Sequence, residues 1–279
     1  MVYDIKGGAI SSLLLPLVNK IETGRIHSIF TRGINIQFDD SHLFLSETQQ
    51  PLSAFGINIS KERLDHVIKS VRVGDLVVKK QHALVLYSEC DVIAIHYTGL
   101  TGIDLSFPTI SCQKETISQT LLYRYLQEKK LEKQIGLKMD DELLEKLDQL
   151  SYMPKLDKTS KLAIIDYFLG RGLGLTPSGD DLLMGFTMAV ISFHLNQEWL
   201  DSLAYKVAEN KTTYISTAYF HSLLHDHLSE NFVDLVKLLD ADNTQEIEVV
   251  IDEIQQYGHT SGNDTLYGFW LGLNMVSKS

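Results

Sequence analysis

Residues 170–181 read GRGLGLTPSGDD and connect the end of one predicted helix, Thr159–Leu169, to the start of the next. Four of these residues are glycine. Glycine leaves backbone N–H groups uncovered, and a helix N-terminus carries the positive end of the helix dipole. The segment therefore predicts a binding site for a small anion. Its spacing matches neither the ATP-binding P-loop nor the dinucleotide-binding fingerprint.

The same pattern returns in residues 258–264, which read GHTSGND. When Ser178–Phe186 is aligned with Ser261–Phe269, six of the nine positions are identical. The identical pairs are Ser178 with Ser261, Gly179 with Gly262, Asp181 with Asp264, Leu183 with Leu266, Gly185 with Gly268, and Phe186 with Phe269. We expect the two helix starts to lie together.

Two interpretations of this repeat stay open. In the structural one, Ser178 and Ser261 begin capping boxes, and the repeated glycines let two helices approach closely. In the functional one, both helix starts and their hydroxyl groups surround an anion. The repeated carboxylates must then cap the helices, bind a bridging cation or transfer protons. Asp180 and Asp181 point about 100° apart on a helix, which disfavours joint binding of one metal ion.

The functional interpretation defines the candidate residues. The catalytic candidates are Asp180, Asp181, Asp264 and His259. The substrate-binding candidates are Arg171, Gly172, Gly174, Thr176, Ser178, Gly179, Lys211, Thr212, Thr213, Ser216, Thr260, Ser261, Gly262 and Asn263. His259 has the right chemistry for a general acid or base near neutral pH, and hydrogen bonding in a turn explains it equally well.

The segment 210–216 opens a predicted long helix, Tyr214–Leu239, and supplies hydroxyl groups and a cation. Lys211 and Arg171 are the nearest cations in sequence and are natural anion clamps. Ordinary helix capping explains the segment equally well. His221 and His225 have the spacing of a helical metal pair, but their apolar surroundings favour core or interface histidines. No metal site and no cofactor are predicted, with Mg²⁺ at the aspartates as the one option.

The rest of the chain changes character near residue 115. Short runs of β-branched and aromatic residues fill Gly24–Pro108, with one predicted helix at Lys61–Ser70. Helical periodicity follows from Thr116. We therefore predict an α+β fold, with a β-rich domain at 1–115 (a small sheet or partly closed barrel) and a mainly helical domain at 116–279.

Composition limits the partners. The 279 residues include 25 Lys and Arg against 36 Asp and Glu, a net charge of −11. That charge argues against nucleic acid and anionic membranes, and an anionic substrate needs a strongly local binding device. The two cysteines, Cys90 and Cys112, lack metal-type spacing, and the N-terminus lacks signal-peptide features. We expect a cytoplasmic protein.

With these two glycine-rich motifs the sequence resembles a bacterial family that includes the AllH-type subunit of the FdrA-linked oxamate carbamoyltransferase. The resemblance covers most of the chain. It implies a role in anaerobic allantoin or purine-nitrogen catabolism, where oxalurate and phosphate give oxamate and carbamoyl phosphate. The activity belongs to an assembly of different subunits, so FdrA-like and other partner subunits are expected and the chain alone is expected to be inactive.

The sequence departs from other carbamoyl-transfer enzymes in one respect. It lacks the Ser-x-Arg-Thr segment of the aspartate and ornithine carbamoyltransferases. Carbamoyl phosphate would therefore bind by a different device, for which the glycine-rich helix starts are the candidate. Two further hypotheses remain, a noncatalytic partner subunit and a metal-dependent hydrolase.

Overall fold

The structure is a computed structural model that describes residues 2–39, 41–256 and 258–279. The chain forms two compact units. The first runs to Ser106 and includes His227–Glu230, and the second contains Phe107–Asp226 and Asn231–Ser279. The sequence predicted a boundary near residue 115.

Over its described residues, the first unit is built on one mixed sheet of ten strands. The strands are β1 (Val2–Ile5), β2 (Ala9–Ser11), β3 (Thr23–Phe30), β4 (Gly33–Phe38), β5 (Ser41–Glu47), β6 (Gly56–Ile59), β7 (Leu76–Lys79), β8 (Leu84–Tyr87), β9 (Val92–Ile95) and β10 (Thr101–Ile103). Their order is β1-β9-β8-β7-β3-β4-β5-β6-β2-β10. The pairs β1–β9, β5–β6 and β2–β10 are parallel, and the other neighbours are antiparallel.

The buried apolar residues of the strands pack into one hydrophobic core with those of two helices. Every residue of β6 is buried, and β4 buries all but one of its residues. The helix α1 (Leu14–Val18) and the helix α2 (Lys61–Ser70) complete the unit. Leu64 and Val67, one helical turn apart on α2, are buried in the same hydrophobic core as Ile36 and Leu45. The bounds of α2 are those that the sequence predicted.

The second unit is helical. Its helices are α3 (Leu121–Glu128), α4 (Asp141–Ser151), α5 (Lys158–Phe168), α6 (Ser178–Ser192), α7 (Gln197–Val207), α8 (Tyr214–Leu224), α9 (Glu230–Lys237), α10 (Thr244–Gln255) and α11 (Ser261–Val276). Almost all residues of α6 and α11 are buried, so these two helices form the centre of the unit. The predicted α+β class, with a β-rich first part and a helical second part, is confirmed.

The predicted single helix Tyr214–Leu239 is wrong, because α8 ends at Leu224 and a second helix, α9, begins at Glu230. Asp226 takes a left-handed conformation with φ of 58°. The next residues exchange helical hydrogen bonds for bonds within the first unit: Leu228 N–H donates to the Leu105 carbonyl at 2.9 Å, and Glu230 N–H donates to the Leu52 carbonyl at 2.9 Å. Since these partners are far away in sequence, local periodicity could not reveal the break.

Within the described ranges, none of the helices combines the length and the apolar character needed to cross a membrane.

Candidate functional site

The two copies of the glycine-rich motif adopt the same local structure. In each, a helix ends, a loop follows, and a central helix begins at the repeated serine: α5 leads to α6, and α10 leads to α11. A Cβ atom added at Gly179 would lie 2.1 Å from the Phe168 carbonyl oxygen, and one added at Gly262 would lie 1.9 Å from that of Ile254. Both glycines are therefore required, because the start of each central helix touches the end of the helix before it.

The central helices also contact each other through repeated glycines. A Cβ atom at Gly185 would lie 1.9 Å from the Thr265 carbonyl oxygen, and one at Gly268 would lie 2.0 Å from that of Leu182. Each contacted carbonyl belongs to the residue four positions after the repeated serine. The helix pair is therefore symmetric in its backbone contacts, and the predicted close approach of the two helices is confirmed.

Hydroxyl groups of the two motifs meet where the helices begin. Thr176 Oγ1 lies 2.7 Å from Ser261 Oγ. Ser178 Oγ lies 3.5 Å from Thr260 Oγ1. Ser261 also donates a hydrogen bond to Asp181 Oδ2. The prediction that the two helix starts lie together is thus confirmed, although 83 positions separate their serines.

The capping-box interpretation is wrong. Both central helices begin at the serine itself, so Pro177 and Thr260 occupy the N-cap positions. Neither N-cap residue makes a side-chain capping hydrogen bond. The repeated serines therefore do not satisfy the first N–H groups of their helices, and their hydroxyls face the other motif instead.

Gly172 lies against the first amide of α6. Gly172 has φ of 125°, and a Cβ atom there would lie 2.7 Å from the backbone nitrogen of Ser178. A side chain at this position would crowd the N–H group that the helix leaves without an internal partner. Gly174 has φ of 97° with nothing within 4 Å of its added Cβ, and Leu173 beside it is 93% exposed. The tip of the loop therefore faces solvent.

Asp180 ties three segments together. Its Oδ1 accepts a hydrogen bond from Gly170 N–H at 2.7 Å, and its Oδ2 accepts one from the Thr212 hydroxyl. Burial raises the pKa of Asp180, while the Gly170 N–H and the Thr212 and Ser216 hydroxyls lower it. The segment before α8 therefore contacts the carboxyl group of Asp180, and its part in a binding site stays a prediction.

Thr213 caps α8 and holds the glycine-rich loop. Its hydroxyl accepts a hydrogen bond from Ser216 N–H at 3.1 Å and donates one to the Leu175 carbonyl. The capping interpretation thus holds for this residue, and the same side chain fixes the segment next to the cluster.

Asp181 and Asp264 are the repeated carboxylates, and both are buried. Asp181 is 4% exposed and Asp264 is fully buried. Burial holds the pKa of Asp181 well above its usual range, the Ser261 hydroxyl lowers it, and the charges of Asp264 and Asp180 raise it further. Burial also raises the pKa of Asp264. Both carboxyls therefore favour the protonated form more than an exposed aspartate does.

Gly136 joins the cluster without a signal in the sequence. Its N–H donates a hydrogen bond to Asp264 Oδ1 at 2.8 Å. A Cβ atom at Gly136 would lie 2.2 Å from Ser178 Oγ and 2.6 Å from Thr260 Oγ1. The backbone of this exposed residue thus covers both hydroxyls. A backbone donor leaves no side-chain pattern, so only its glycine identity could have pointed to a close approach.

The two cations are already paired. Lys211 Nζ contacts Asp166 and Glu209, the latter at 3.0 Å, and these acids raise the pKa of the lysine. Arg171 lies 3.5 Å from Glu142 and places its guanidinium 3.8 Å from the centre of the Tyr167 ring. Both residues adjoin the motifs, but their charges are partly neutralised before any anion arrives. Their role as anion clamps stays a prediction.

The last two site candidates, His259 and Asn263, lie next to the start of α11. His259 is exposed on the loop before α11. The side-chain oxygen of Asn263 accepts a hydrogen bond from Gln255 at 2.6 Å. His225 ends α8, with its Nδ1 2.7 Å from the His221 carbonyl oxygen. Among the described residues, no group of three His, Cys, Asp or Glu side chains is arranged to hold a metal ion.

Fold and site together define an α+β protein whose helical unit holds a buried cluster of carboxyl and hydroxyl groups, built from a duplicated helix start. Residues 168–273, which include both motif copies, match the family model described as oxamate carbamoyltransferase subunit AllH. Residues 5–99 match the AllH family N-terminal domain. The chain belongs to the AllH family. No solved structure matches it.

Proposed function

We propose that this chain is the subunit of an oxamate carbamoyltransferase that binds a small anionic substrate at the N-termini of α6 and α11. In the proposed reaction, oxalurate and phosphate give oxamate and carbamoyl phosphate, as a step of anaerobic allantoin catabolism in the cytoplasm. The family description supports the class of enzyme. FdrA-like and other subunits are the proposed partners, and the proposal places full activity in the assembly.

The observation that carries the proposal is the meeting of the two helix starts. Four hydroxyl groups converge there in two pairs, Thr176 with Ser261 and Ser178 with Thr260. Both helices begin without a side-chain cap among the described residues. In α6 the Gly179 and Asp180 N–H groups already donate to the Arg171 and Pro177 carbonyls, so the proposal relies on the Ser178 N–H and on the first N–H groups of α11. Two positive dipole ends at one place favour a negative charge.

Burial resolves the conflict between carboxylates and an anion. Burial holds the pKa of Asp181 well above its usual range, which favours a neutral carboxyl group that does not repel an anion and can donate a hydrogen bond. In the same form it is a proton donor. This supports a site that an anion shares with Asp181.

The proposed chemistry needs these two functions. An oxygen of phosphate attacks the carbamoyl carbon of oxalurate, the bond from that carbon to the oxamate nitrogen breaks, and the nitrogen takes a proton. N–H and hydroxyl donors would stabilise the charge on the carbonyl oxygen during the attack. Asp181 would supply the proton to the leaving nitrogen.

A noncatalytic role for the subunit is the second candidate. Both oxygens of Asp180 bind groups of the chain itself, and Lys211 and Arg171 are paired with acids. In this alternative the cluster only holds the helices together, and the chemistry takes place in a partner subunit.

Activity of the reconstituted assembly separates the two candidates. We expect Ser261→Ala to lower kcat/KM for oxalurate phosphorolysis by roughly 100-fold. Ser192→Ala is the matched control, because Ser192 lies at the other end of α6 and its hydroxyl donates to the Met188 carbonyl at 2.8 Å. Lower thermal stability of Ser261→Ala with unchanged kcat/KM would favour the noncatalytic role.

A further inference from the structure

The two repeated carboxylates differ in one contact. Asp181 receives a hydrogen bond from the serine of the other motif, Ser261. The symmetric bond would run from Ser178 to Asp264, but Ser178 Oγ pairs with Thr260 Oγ1 at 3.5 Å. The symmetric backbone therefore carries an asymmetric set of polar contacts: Asp181 Oδ2 accepts the Ser261 hydroxyl, whereas Oδ2 of Asp264 accepts no hydrogen bond from the described residues.

This asymmetry leaves a buried acceptor. Oδ1 of Asp264 accepts the Gly136 N–H, while Oδ2 is buried and has no hydrogen-bond partner among the described residues. The nearby hydroxyls of Ser178 and Thr260 lower the pKa of Asp264, but neither completes a hydrogen bond to Oδ2. A buried polar atom without a partner is costly, so a donor from a ligand would be strongly favoured there.

The surroundings restrict the chemistry of that ligand. An anionic oxygen at Oδ2 would be repelled by the Asp264 carboxylate, which is the form that accepts a hydrogen bond there. A divalent metal ion needs several oxygen ligands, and the described residues offer no group of three acids or imidazoles arranged for one. A neutral N–H donor satisfies Oδ2 with one directed hydrogen bond.

The segment that contacts Asp264 from outside the two motifs does so through the backbone of Gly136. Gly136 is exposed and lies in an irregular segment between the short 3₁₀ turn Leu131–Lys133 and α4. Without a side chain, it contacts the Ser178 and Thr260 hydroxyls through its backbone alone. A shift of this segment and rotation of the two hydroxyls would expose Oδ2 to a ligand held at the helix starts.

We propose that Asp264 determines substrate specificity by accepting a hydrogen bond from a primary amide N–H of the ligand. The site then selects a small carboxylate that carries an amide over a dicarboxylate of the same size. The proposal rests on the proposed function, since the N-termini of α6 and α11 bind the carboxylate end of the ligand and Asp264 accepts a hydrogen bond from its amide end.

Oxamate and oxalate form the matched pair of probes, because they differ only in an amide against a second carboxylate. Isothermal titration calorimetry of the full chain, alone and with its partner subunits, should show oxamate binding roughly 10- to 100-fold tighter than oxalate. Asp264→Asn replaces an acceptor by a group that can donate. It should weaken oxamate binding and strengthen oxalate binding, so that the preference disappears or reverses.

Asp252→Asn is the control for net charge. Asp252 lies on α10 with its side chain 63% exposed, 3.6 Å from Lys129, and this variant should keep the preference for oxamate. If Asp264→Asn does not fold, N,N-dimethyloxamate, which has no N–H group, provides the test on the wild-type chain. It should bind at least about 10-fold more weakly than oxamate.

The outcomes separate the two proposals. Equal binding of oxamate and oxalate by the wild-type chain, or a preference that survives in Asp264→Asn, would overturn the role of Asp264 and leave the anion site intact. Equal binding of oxamate and its dimethyl derivative would do the same. Binding of neither oxamate nor oxalate, with or without partner subunits, would overturn both proposals.

Discussion

The two copies of the motif have the same backbone and different polar partners. In the first copy Asp180 binds the Gly170 N–H and the Thr212 hydroxyl, so it joins the loop to the segment before α8. In the second copy the equivalent Asn263 binds Gln255 of the preceding helix. The glycines shared by both copies serve the packing of the helix pair, and the residues that differ determine which segments surround the site.

The largest effect should follow from adding a methyl group between the central helices. We expect Gly185→Ala and Gly268→Ala each to lower the free energy of unfolding by about 3 kcal/mol or more, because each Cβ would clash with a backbone carbonyl that cannot rotate away. Urea denaturation measures the change. Gly99→Ala is the control, since nothing lies within 4 Å of its added Cβ. Clearly unequal losses of unfolding free energy for Gly185→Ala and Gly268→Ala would contradict the symmetric packing of α6 against α11.

The next effect concerns pH and compares the two repeated carboxyls. The folded pKa of Asp181 lies well above the reference value of 3.8, so the folded state binds more protons than the unfolded state in the interval between the two values. The carboxyl's contribution to stability is therefore complete below pH 3.8 and is lost as the pH rises through the folded pKa. The wild-type chain should lose stability over that range relative to Asp181→Asn.

Asp264→Asn should show the same trend, because burial raises the pKa of Asp264 as well. Denaturation curves recorded across the pH range measure both differences. A stability difference between the wild type and Asp181→Asn that does not change with pH would contradict the buried protonated carboxyl.

The third effect tests the position at which the two copies differ. Asp180→Ala removes the partner of a backbone N–H and of the Thr212 hydroxyl, so we expect a loss of about 2–3 kcal/mol. Asn263→Ala removes one hydrogen bond to Gln255 and should cost about 1 kcal/mol. Thermal unfolding of both variants gives the comparison. Equal losses would mean that Asp180 does not anchor the loop.

The smallest effect compares the repeated serines. Ser261→Ala removes the donor to Asp181 and should cost about 1–2 kcal/mol, whereas Ser178→Ala removes a long contact to Thr260 and should cost less than about 1 kcal/mol. Because neither serine caps its helix, the losses should be unequal. Equal losses of stability of about 1 kcal/mol in the two variants would support the interpretation of the serines as helix caps.

The sequence predicts the features that repeat and misses those that depend on distant partners. The match between the motifs predicted that the helix starts meet and that Gly185 and Gly268 lie at a close contact. The Gly136 N–H reaches Asp264 across 128 positions and leaves no pattern in either segment. Lys211 looked available for an anion because its partner Asp166, 45 positions away, is brought to it only by the fold.

Of the two interpretations of the helix starts, the capping box failed for a physical reason. Serine followed three residues later by an acid is typical of a capping box, and that spacing exists in both copies. The structure uses the same residues for contacts between the two motifs, with Pro177 and Thr260 at the N-cap positions. Tertiary contacts between two distant segments thus override a local signal.

The most direct test of a shared anion site is the response of backbone amides to oxamate. Transverse-relaxation-optimised NMR spectra of the deuterated full chain, titrated with oxamate, should show shifts of Ser178–Asp180 and of Ser261–Asn263 that follow one dissociation constant. Glucose at equal concentration should shift neither group. Shifts confined to one helix start, or shifts that leave both unchanged while other regions respond, would contradict the claim that the two copies form one site.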